Sequence, residues 1–215
     1  HADFIKLLGT QTDKFKGKVN TYDPEKSGVG FMLVTQDKQV NAAGFADLQK
    51  ALGAVQVKVQ ASTGTMMERI ASGENLIGYN LNTAYALTRA QKDPSIGIVM
   101  PKDYTLVLSR VMFIARKAKN PNAAKAFIEF LLTEEGQKLF IERGLFPIRP
   151  DMRMEGPPGS TAELAVEFYG GRRSYFEGTV ENTYDNALAA SRNSEVNEYF
   201  RTNIFAKLDE LKAKY

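Results

Sequence analysis

The amino-acid sequence predicts an α/β fold, because short strand-like segments alternate with helix-like segments in its first half. Val55–Val59 alternates apolar and polar residues as a half-buried strand does, and Thr65–Ser72 then has helical character. Asn75–Leu81 is predicted as a second strand, followed by a helix over Ala84–Lys92. Ile96–Met100 is predicted as a third, apolar strand. Strands that alternate with helices predict a largely parallel sheet covered on both faces.

Local signals predict a strand-rich run and then a helix pair in the next part of the chain. Tyr104–Arg116 is rich in residues that favour strands. Asn120-Pro121 combines a capping residue with proline at a first helical position, and apolar residues then recur at helical spacing through Ala123–Leu132. A second helix is predicted over Thr133–Glu142, and Gly144 is its predicted C-cap.

The last part of the sequence predicts a loop followed by an amphipathic helix. Glu155–Gly159 contains two prolines and two glycines, so it is the clearest loop of the chain and a natural boundary. From a cap at Ser194, apolar residues recur every three or four positions, and they are Val196, Phe200, Ile204, Leu208 and Leu211. This spacing predicts a helix with one buried face.

The residue types that are absent narrow the possible functions. The 215 residues contain no cysteine and one histidine, His1, which stands at the first position. Disulfides, thiolate nucleophiles and cysteine-ligated metals are therefore excluded, and a histidine base in a folded pocket is not expected. Carboxylate, tyrosine and lysine chemistry stay open. We expect a binding protein that is not an enzyme, with no catalytic residue, no metal and no cofactor.

Charge and hydropathy indicate a soluble protein with no nucleic-acid partner. The 28 basic and 25 acidic residues are mixed along the chain, which gives a net charge of +3 without a dense basic block. That balance is compatible with a small anionic ligand. The longest apolar stretches, Leu106–Ala115 and Ala123–Leu132, are far shorter than the roughly 20 residues that a membrane span needs.

Several short motifs occur in an order and spacing that resemble one family. They are Gly17-Lys18-Val19, Tyr22-Asp23-Pro24 with Ser27-Gly28, Gly73-Glu74, Pro101-Lys102-Asp103, Ala118–Ile128 and Glu134–Gln137. Together they resemble the extracellular solute-binding proteins of bacterial ABC importers, in the branch that binds ferric iron and organic ligands. The resemblance spans residues 10 to 150, and its most specific part is the helix pair Asn120–Gly144.

This resemblance implies the class II periplasmic-binding-protein fold, with three-layer α/β/α lobes joined by a hinge. It implies that residues 14–108 form the second, ligand-binding lobe and that 109–149 return to complete the first lobe. Residues 150–215 are then expected to form a helical segment that packs back on the second lobe. The N-terminal part of the first lobe is expected to be missing from this sequence.

The resemblance also implies partners and a location. The expected partners are a small-molecule anion and the membrane permease of an ABC transporter. An incomplete first lobe predicts an exposed sheet edge, and therefore self-association or pairing with the missing N-terminal segment. The expected location is the periplasm, or the cell exterior with a membrane anchor in a Gram-positive organism.

Two turns rich in Gly, Ser and Thr precede predicted helices and are candidate ligand sites. A helix N-terminus offers unpaired N–H groups and the positive end of the helix dipole, which suit a phosphate or carboxylate. The candidate ligand residues in these turns are Ser27, Gly28, Ser62, Thr63 and Gly64. The alternative is that Ser27, Ser62 and Thr63 are ordinary helix caps and that the glycines only permit tight turns.

Tyrosine spacing favours an organic ligand over iron. In the iron-binding relatives, adjacent tyrosines after this strand ligate the metal, whereas Tyr79 and Tyr85 here are six residues apart. A ferric site therefore lacks its usual ligands, and a small organic or phosphorylated anion is expected instead. Tyr79 and Asn80 are expected to contribute hydrogen bonds from the floor of the pocket. The alternative is that both tyrosines are packing residues with hydrated hydroxyls.

Three other interpretations remain open from the sequence alone. Arg172-Arg173 has the chemistry to bind an anion, although solvated surface arginines are the alternative. The same fold also occurs in some enzymes, and in the effector-sensing domains of transcription regulators, which carry a helix-turn-helix upstream. The motif in Asn120–Gly144 resembles the importer receptors more than the regulators.

Overall fold

A computed structural model describes residues 1–106, 108, 110–174, 186–191 and 193–212 of the chain. Its described part contains three short strands, β1 Val19–Tyr22, β2 Lys58–Gln60 and β3 Ile77–Gly78. They form a parallel sheet of order β2-β1-β3, in which Asn20 pairs with Lys58 on one side and with Gly78 on the other. The α/β fold predicted from the sequence is confirmed.

Most of the described residues outside the sheet are helical. The helices are α1 Ala2–Thr10, α2 Thr12–Phe15, α3 Gly28–Val40, α4 Ala42–Ala54, α5 Thr63–Ala71, α6 Thr83–Ala90, α7 Pro121–Leu132, α8 Glu134–Ile141, α9 Thr161–Phe168, α10 Asn186–Ser191, α11 Asn193–Phe200 and α12 Ala206–Lys212, with a π-helical turn at Arg201–Phe205 between the last two. No helix among these described residues is long and apolar enough to cross a bilayer.

The chain divides into two compact units. Unit 1 contains His1–Asn82, Pro101–Val107 and Asn182–Tyr215, and unit 2 contains Thr83–Met100 and Leu108–Glu181. Because these five segments alternate, the chain passes from one unit to the other four times. The lobes predicted from the sequence divide the chain at other points and stay a prediction.

The core of unit 1 joins its N-terminal and C-terminal helices. Its buried residues come from α1 to α4, from β1, from the stretch before β2, and from α11 and the π-helical turn, and they include Leu8, Val19, Leu48, Leu52, Val196, Phe200 and Ile204. A Cβ atom on Gly53 would lie 1.9 Å from the carbonyl oxygen of Asn203, so only glycine permits this close approach of α4 to the π-helical turn. The predicted burial of Val196, Phe200 and Ile204 is confirmed. The side chain of Leu211 lies outside the described residues.

Unit 2 has its own apolar core, and two predicted helix ends in this unit differ in their hydrogen bonding. Leu87, Met154 and other buried residues of this unit make one apolar cluster. Gly144 has φ +70 three residues after Ile141, where α8 ends, and its amide donates to the Ile141 carbonyl at 2.9 Å, so it terminates the helix as predicted. Asn120 precedes α7 and Pro121 as predicted, but the Asn120 side chain makes no capping hydrogen bond.

Two predicted strands are wrong. Ile96–Met100 forms no strand, and Val99 is 89% exposed. No strand occurs among the described residues of Tyr104–Arg116 either; Val107 and Ser109 lie outside them. Both stretches have the composition of a strand, but a strand also needs a hydrogen-bonded neighbour, and none of the three strands pairs with them. Conversely, β1 is a strand that the apolar pattern of the sequence did not predict.

Unit 2 exposes several large apolar side chains. Val111, Phe113 and Phe127 are 81%, 83% and 59% exposed, and α7 buries none of its residues. Exposed apolar surface of this kind favours association. Self-association, or pairing with an N-terminal segment, therefore stays a prediction with a physical basis.

We expect the 215-residue chain to form oligomers, and we expect Val111→Lys with Phe113→Lys to shift it toward the monomer, because two exposed apolar side chains become charged. Size-exclusion chromatography with light scattering measures the mass. The control Glu129→Lys adds a lysine to α7 without removing an apolar side chain. A wild-type chain that is monomeric at 23.9 kDa contradicts the prediction.

Candidate functional site

The carboxyl ends of the three parallel strands meet at one edge of the sheet. The turn after β1 leads to Ser27, the turn after β2 leads to Ser62, and Tyr79 and Asn80 directly follow β3. Ligands of open parallel sheets bind beyond this edge. The sequence-predicted candidate residues therefore all lie in the turns or first helical residues that follow the sheet at one edge.

Ser27 caps α3 and leaves two amides of the first turn free of helical partners. The Ser27 hydroxyl accepts a hydrogen bond from the Gly30 amide at 3.1 Å. The Phe31 amide donates to the Ser27 carbonyl at 2.8 Å, which closes the first helical turn. The geometry of an α-helix leaves the amides of Gly28 and Val29 without an acceptor inside the helix, and both residues are exposed.

Ser62 plays the same part at the start of α5. Its hydroxyl accepts from the Thr65 amide at 3.2 Å and lies 3.0 Å from the Thr65 hydroxyl. The first helical amides, those of Thr63 and Gly64, have no acceptor inside the helix. Ser27 and Ser62 are thus helix caps, and a role in ligand binding stays a prediction for them.

Tyr22, which the sequence analysis did not single out as a site residue, links the two helix starts. Its hydroxyl is hydrogen-bonded to the Thr63 hydroxyl. At its other end, a Cβ atom on Gly30 would lie only 2.4 Å from the Tyr22 Cβ. Glycine at this position lets the first turn of α3 pack directly on the tyrosine. The signal available in the sequence was a tyrosine shortly before a Ser-Gly turn.

Tyr79 is fixed at both its backbone and its hydroxyl. The Tyr79 amide donates to the Asn20 carbonyl at 2.9 Å, and the Thr21 hydroxyl donates to the Tyr79 carbonyl at 3.2 Å. The Tyr79 hydroxyl donates to Asp37 at 2.8 Å. Its proton is therefore engaged within the protein, and the phenolic oxygen keeps only its capacity to accept.

Asn80 has an uncommon backbone conformation, with φ +60. Asparagine tolerates this left-handed region better than most residues. Among the described residues, its buried side-chain nitrogen has no partner at full hydrogen-bond geometry, but it lies near the Asp37 carboxylate and lowers the pKa of that group.

Asp37 of α3 binds two tyrosines far from it in sequence. It is buried, and its two carboxylate oxygens accept hydrogen bonds from Tyr79 and Tyr104. Burial raises the pKa of Asp37, although hydrogen bonds from both tyrosine hydroxyls and from the Asn80 side chain oppose the shift. Burial first, and then the nearby Asp37 carboxylate, raises the pKa of Tyr79 and Tyr104. Sequence reasoning missed this cluster, because no local pattern joins residues 42 and 67 positions apart.

His1 and Arg172, which the sequence analysis also discussed, each contact an aromatic ring. The imidazole of His1 stacks on Tyr104 with ring centroids 3.8 Å apart, and its Nδ1 lies 2.8 Å from Asp103. The Arg172 guanidinium lies 4.5 Å from the centre of the Phe146 ring, and burial lowers its pKa. An anion-binding role for Arg172 and Arg173 stays a prediction.

At the carboxyl edge of the sheet, the groups available to a ligand are mainly hydrogen-bond donors. The first-turn amides of the exposed residues Gly28, Val29 and Gly64 are donors of the kind that bind anionic oxygens. Within the described ranges, no group of three or more His, Cys, Asp and Glu side chains is placed to hold a metal ion. The arrangement suits reversible binding of a small polar molecule.

Comparison with known proteins identifies the class to which this fold belongs. A solved structure described as the substrate binding protein of the ABC transporter from Agrobacterium tumefaciens is similar, with a TM-score of 0.73 and 28% sequence identity. The similarity covers 93% of this chain, which spans 59% of the length of that chain. The periplasmic-binding-protein type of α/β fold is therefore confirmed.

A family model assigns the chain directly. The model of the bacterial extracellular solute-binding proteins matches residues 2–165, and the chain belongs to this family. No curated protein matches the chain significantly. Membership of an extracellular family of solute-binding proteins places the protein in the periplasm or outside the cell.

We expect Gly30→Ala to destabilise the protein by about 1–3 kcal/mol, because the added methyl group overlaps the buried Tyr22 side chain. Denaturant unfolding followed by circular dichroism measures the loss. Gly28→Ala is the matched control, since a Cβ there meets nothing within 4 Å. Equal unfolding free energies for the two variants would show that α3 does not depend on close contact with Tyr22.

The pH dependence of stability reports on Asp37. A carboxyl whose pKa is raised by folding holds a proton where the unfolded chain has released it, so its contribution to stability falls as pH rises from the ordinary value of 3.8 through the raised pKa. We expect the melting temperature of wild type, relative to Asp37→Asn, to fall over this range. Thermal unfolding at a series of pH values measures it, with Asp47→Asn as an exposed control. A difference that rises with pH overturns the assignment.

Proposed function

We propose that the protein is the solute-binding receptor of an ABC importer and captures a small organic or phosphorylated anion between two lobes. The observation that carries the proposal is the pair of helix starts at the carboxyl edge of the sheet, linked by the hydrogen bond between Tyr22 and Thr63. The family assignment and the similar transporter protein support the same reading. The membrane permease of the importer is the proposed partner.

The anion is proposed from the donors that the edge offers. Gly28 and Gly64 present first-turn amides, and the hydroxyls of Ser27, Ser62 and Thr63 lie beside them. Amides at a helix start bind anionic oxygens without the cost of burying a counter-charge, because the helix dipole supplies the positive end. The side-chain nitrogen of Asn80 is the proposed donor after β3, and the Tyr79 hydroxyl oxygen is the proposed acceptor.

The receptor is proposed to act without chemistry on its ligand. Solute-binding proteins hold their ligand by lobes that close around it and release it when the lobes open. The ferric-iron alternative from the sequence analysis remains an outcome of the test below. Nothing in the described site favours it over an organic anion.

Thermal-shift screening tests the ligand class. Sugar phosphates, phosphonates, carboxylates and ferric salts are compared at equal concentration, and we expect the anions to raise the melting temperature by mass action. A response to ferric salts alone contradicts the proposed anion. No response to any class, in a chain that includes both complete lobes, contradicts the receptor assignment.

A proline substitution tests the backbone amide itself. Gly28 is the first residue of α3 and follows Ser27, which has extended φ and ψ of -122 and 112. Proline suits this position, so Gly28→Pro removes the N–H while keeping the helix. We expect anion affinity to fall about tenfold, the loss of one charge-assisted hydrogen bond. Gly28→Ala, which keeps the N–H, is the control, and calorimetric titration is the measurement. Equal affinities in the two variants exclude this amide from the site.

A further inference from the structure

Asp37 binds the two tyrosines that stand next to three of the four points where the chain changes unit. Tyr79 stands three residues before Asn82, the end of the first segment of unit 1. Tyr104 is the middle residue of Pro101–Val107, three residues from each end of that segment. Unit 2 segments precede and follow this short return to unit 1.

Each carboxylate oxygen of Asp37 accepts a hydrogen bond from the tyrosine of a different connection. Oδ2 accepts from the Tyr79 hydroxyl at 2.8 Å, and Oδ1 accepts from the Tyr104 hydroxyl. The carboxylate lies on α3, and it is 1% exposed. One buried group on a single helix is therefore hydrogen-bonded to residues of both connections.

The rings of these tyrosines are also packed against the start of the chain. Phe4 of α1 stacks on Tyr79 with ring centroids 5.3 Å apart and an interplanar angle of 10°. His1 stacks on Tyr104 at 3.8 Å and 3°. Planar contacts of this kind restrict where each ring lies, but they leave it free to slide within its plane. The hydrogen bonds that the two tyrosine hydroxyls donate to Asp37 restrict this sliding.

The return segment has few other attachments among the described residues. Leu106 packs against the cluster of Tyr22, Leu33 and Met66, and Asp103 contacts His1. The hydroxyl of Thr105 bonds only within the segment, to the Pro101 carbonyl at 3.3 Å. The Tyr104 hydroxyl thus links this segment to α3 through Asp37, and the side chain of Asn41 directly after α3 is a further hydrogen-bond partner of the same hydroxyl.

We propose that Asp37 is a positioning residue that fixes the connections Tyr79–Asn82 and Pro101–Leu106 against α3. The consequence of these contacts for ligand binding rests on the receptor function proposed above. The fixing of the connections does not. An apolar side chain of similar size fills the same space, but it offers no acceptor to either tyrosine.

Hydrogen exchange followed by mass spectrometry tests the proposal on the 215-residue chain without any ligand. We expect Asp37→Leu to accelerate amide exchange about tenfold in peptides covering residues 79–82 and 101–106, the factor for loss of one hydrogen bond in each connection. Exchange in β1 is expected to stay unchanged. The control Asp47→Asn removes an exposed carboxylate of α4 and is expected to change neither connection.

A second variant separates positioning from general stability. Tyr104→Phe keeps the ring and its stacking on His1 and removes only the hydroxyl, so we expect acceleration in 101–106 but not in 79–82. In the double variant with Asp37→Leu, exchange in 101–106 is expected to be no faster than in Asp37→Leu alone. Uniform acceleration across unit 1 in both variants, or none in either connection, overturns the proposal. Because no ligand takes part, these results stand whether or not the receptor function is correct.

Discussion

The parallel pairing of β1 with a strand on each side is the interaction on which the candidate site depends. All four residues of β1 are buried, and its backbone is bonded to β2 through Asn20, Thr21 and Tyr22 and to β3 through Val19 and Asn20. Since the three strands run in one direction, their carboxyl ends have to fall at one edge. The helices that follow β1 and β2 then begin at that edge, and the amides of their first turns have no acceptor inside the helix.

Buried polar side chains on β1 fix this arrangement where the strands themselves are too short to do so. The side-chain amide of Asn20 donates to the Met66 carbonyl at 3.1 Å and to the side-chain oxygen of Asn75 at 3.0 Å. The Thr21 hydroxyl donates to the carbonyl of Tyr79. A buried polar group left without partners costs roughly 1–3 kcal/mol, so a shifted register is penalised at each of these bonds. A two-residue strand such as β3 is thereby held in place.

What the sequence predicted was local, and what it missed was long-range. Ser27, Ser62 and Gly144 were predictable because a cap is decided by a few neighbouring residues. β1 escaped prediction, because its polar residues interrupt the apolar pattern and their buried partners lie more than 40 positions away. Ile96–Met100 failed for the opposite reason, since an apolar run reveals nothing about whether a neighbouring strand exists. The link from Tyr22 to Thr63 and the Asp37 cluster depend on the folded sheet.

The register of the sheet also explains why two similarly placed tyrosines differ. Asn20 pairs with Gly78, so Tyr79 stands beside Thr21 and Tyr22 stands one position further along. Successive residues of a strand point to opposite faces, which directs Tyr22 and Tyr79 to opposite sides of the sheet. Their contacts agree: Tyr22 packs with Leu33 and Met66, whereas Tyr79 packs against the main core of unit 1. The Tyr22 hydroxyl is thus hydrogen-bonded at the start of α5, whereas the Tyr79 hydroxyl donates to the buried carboxylate of Asp37 on α3.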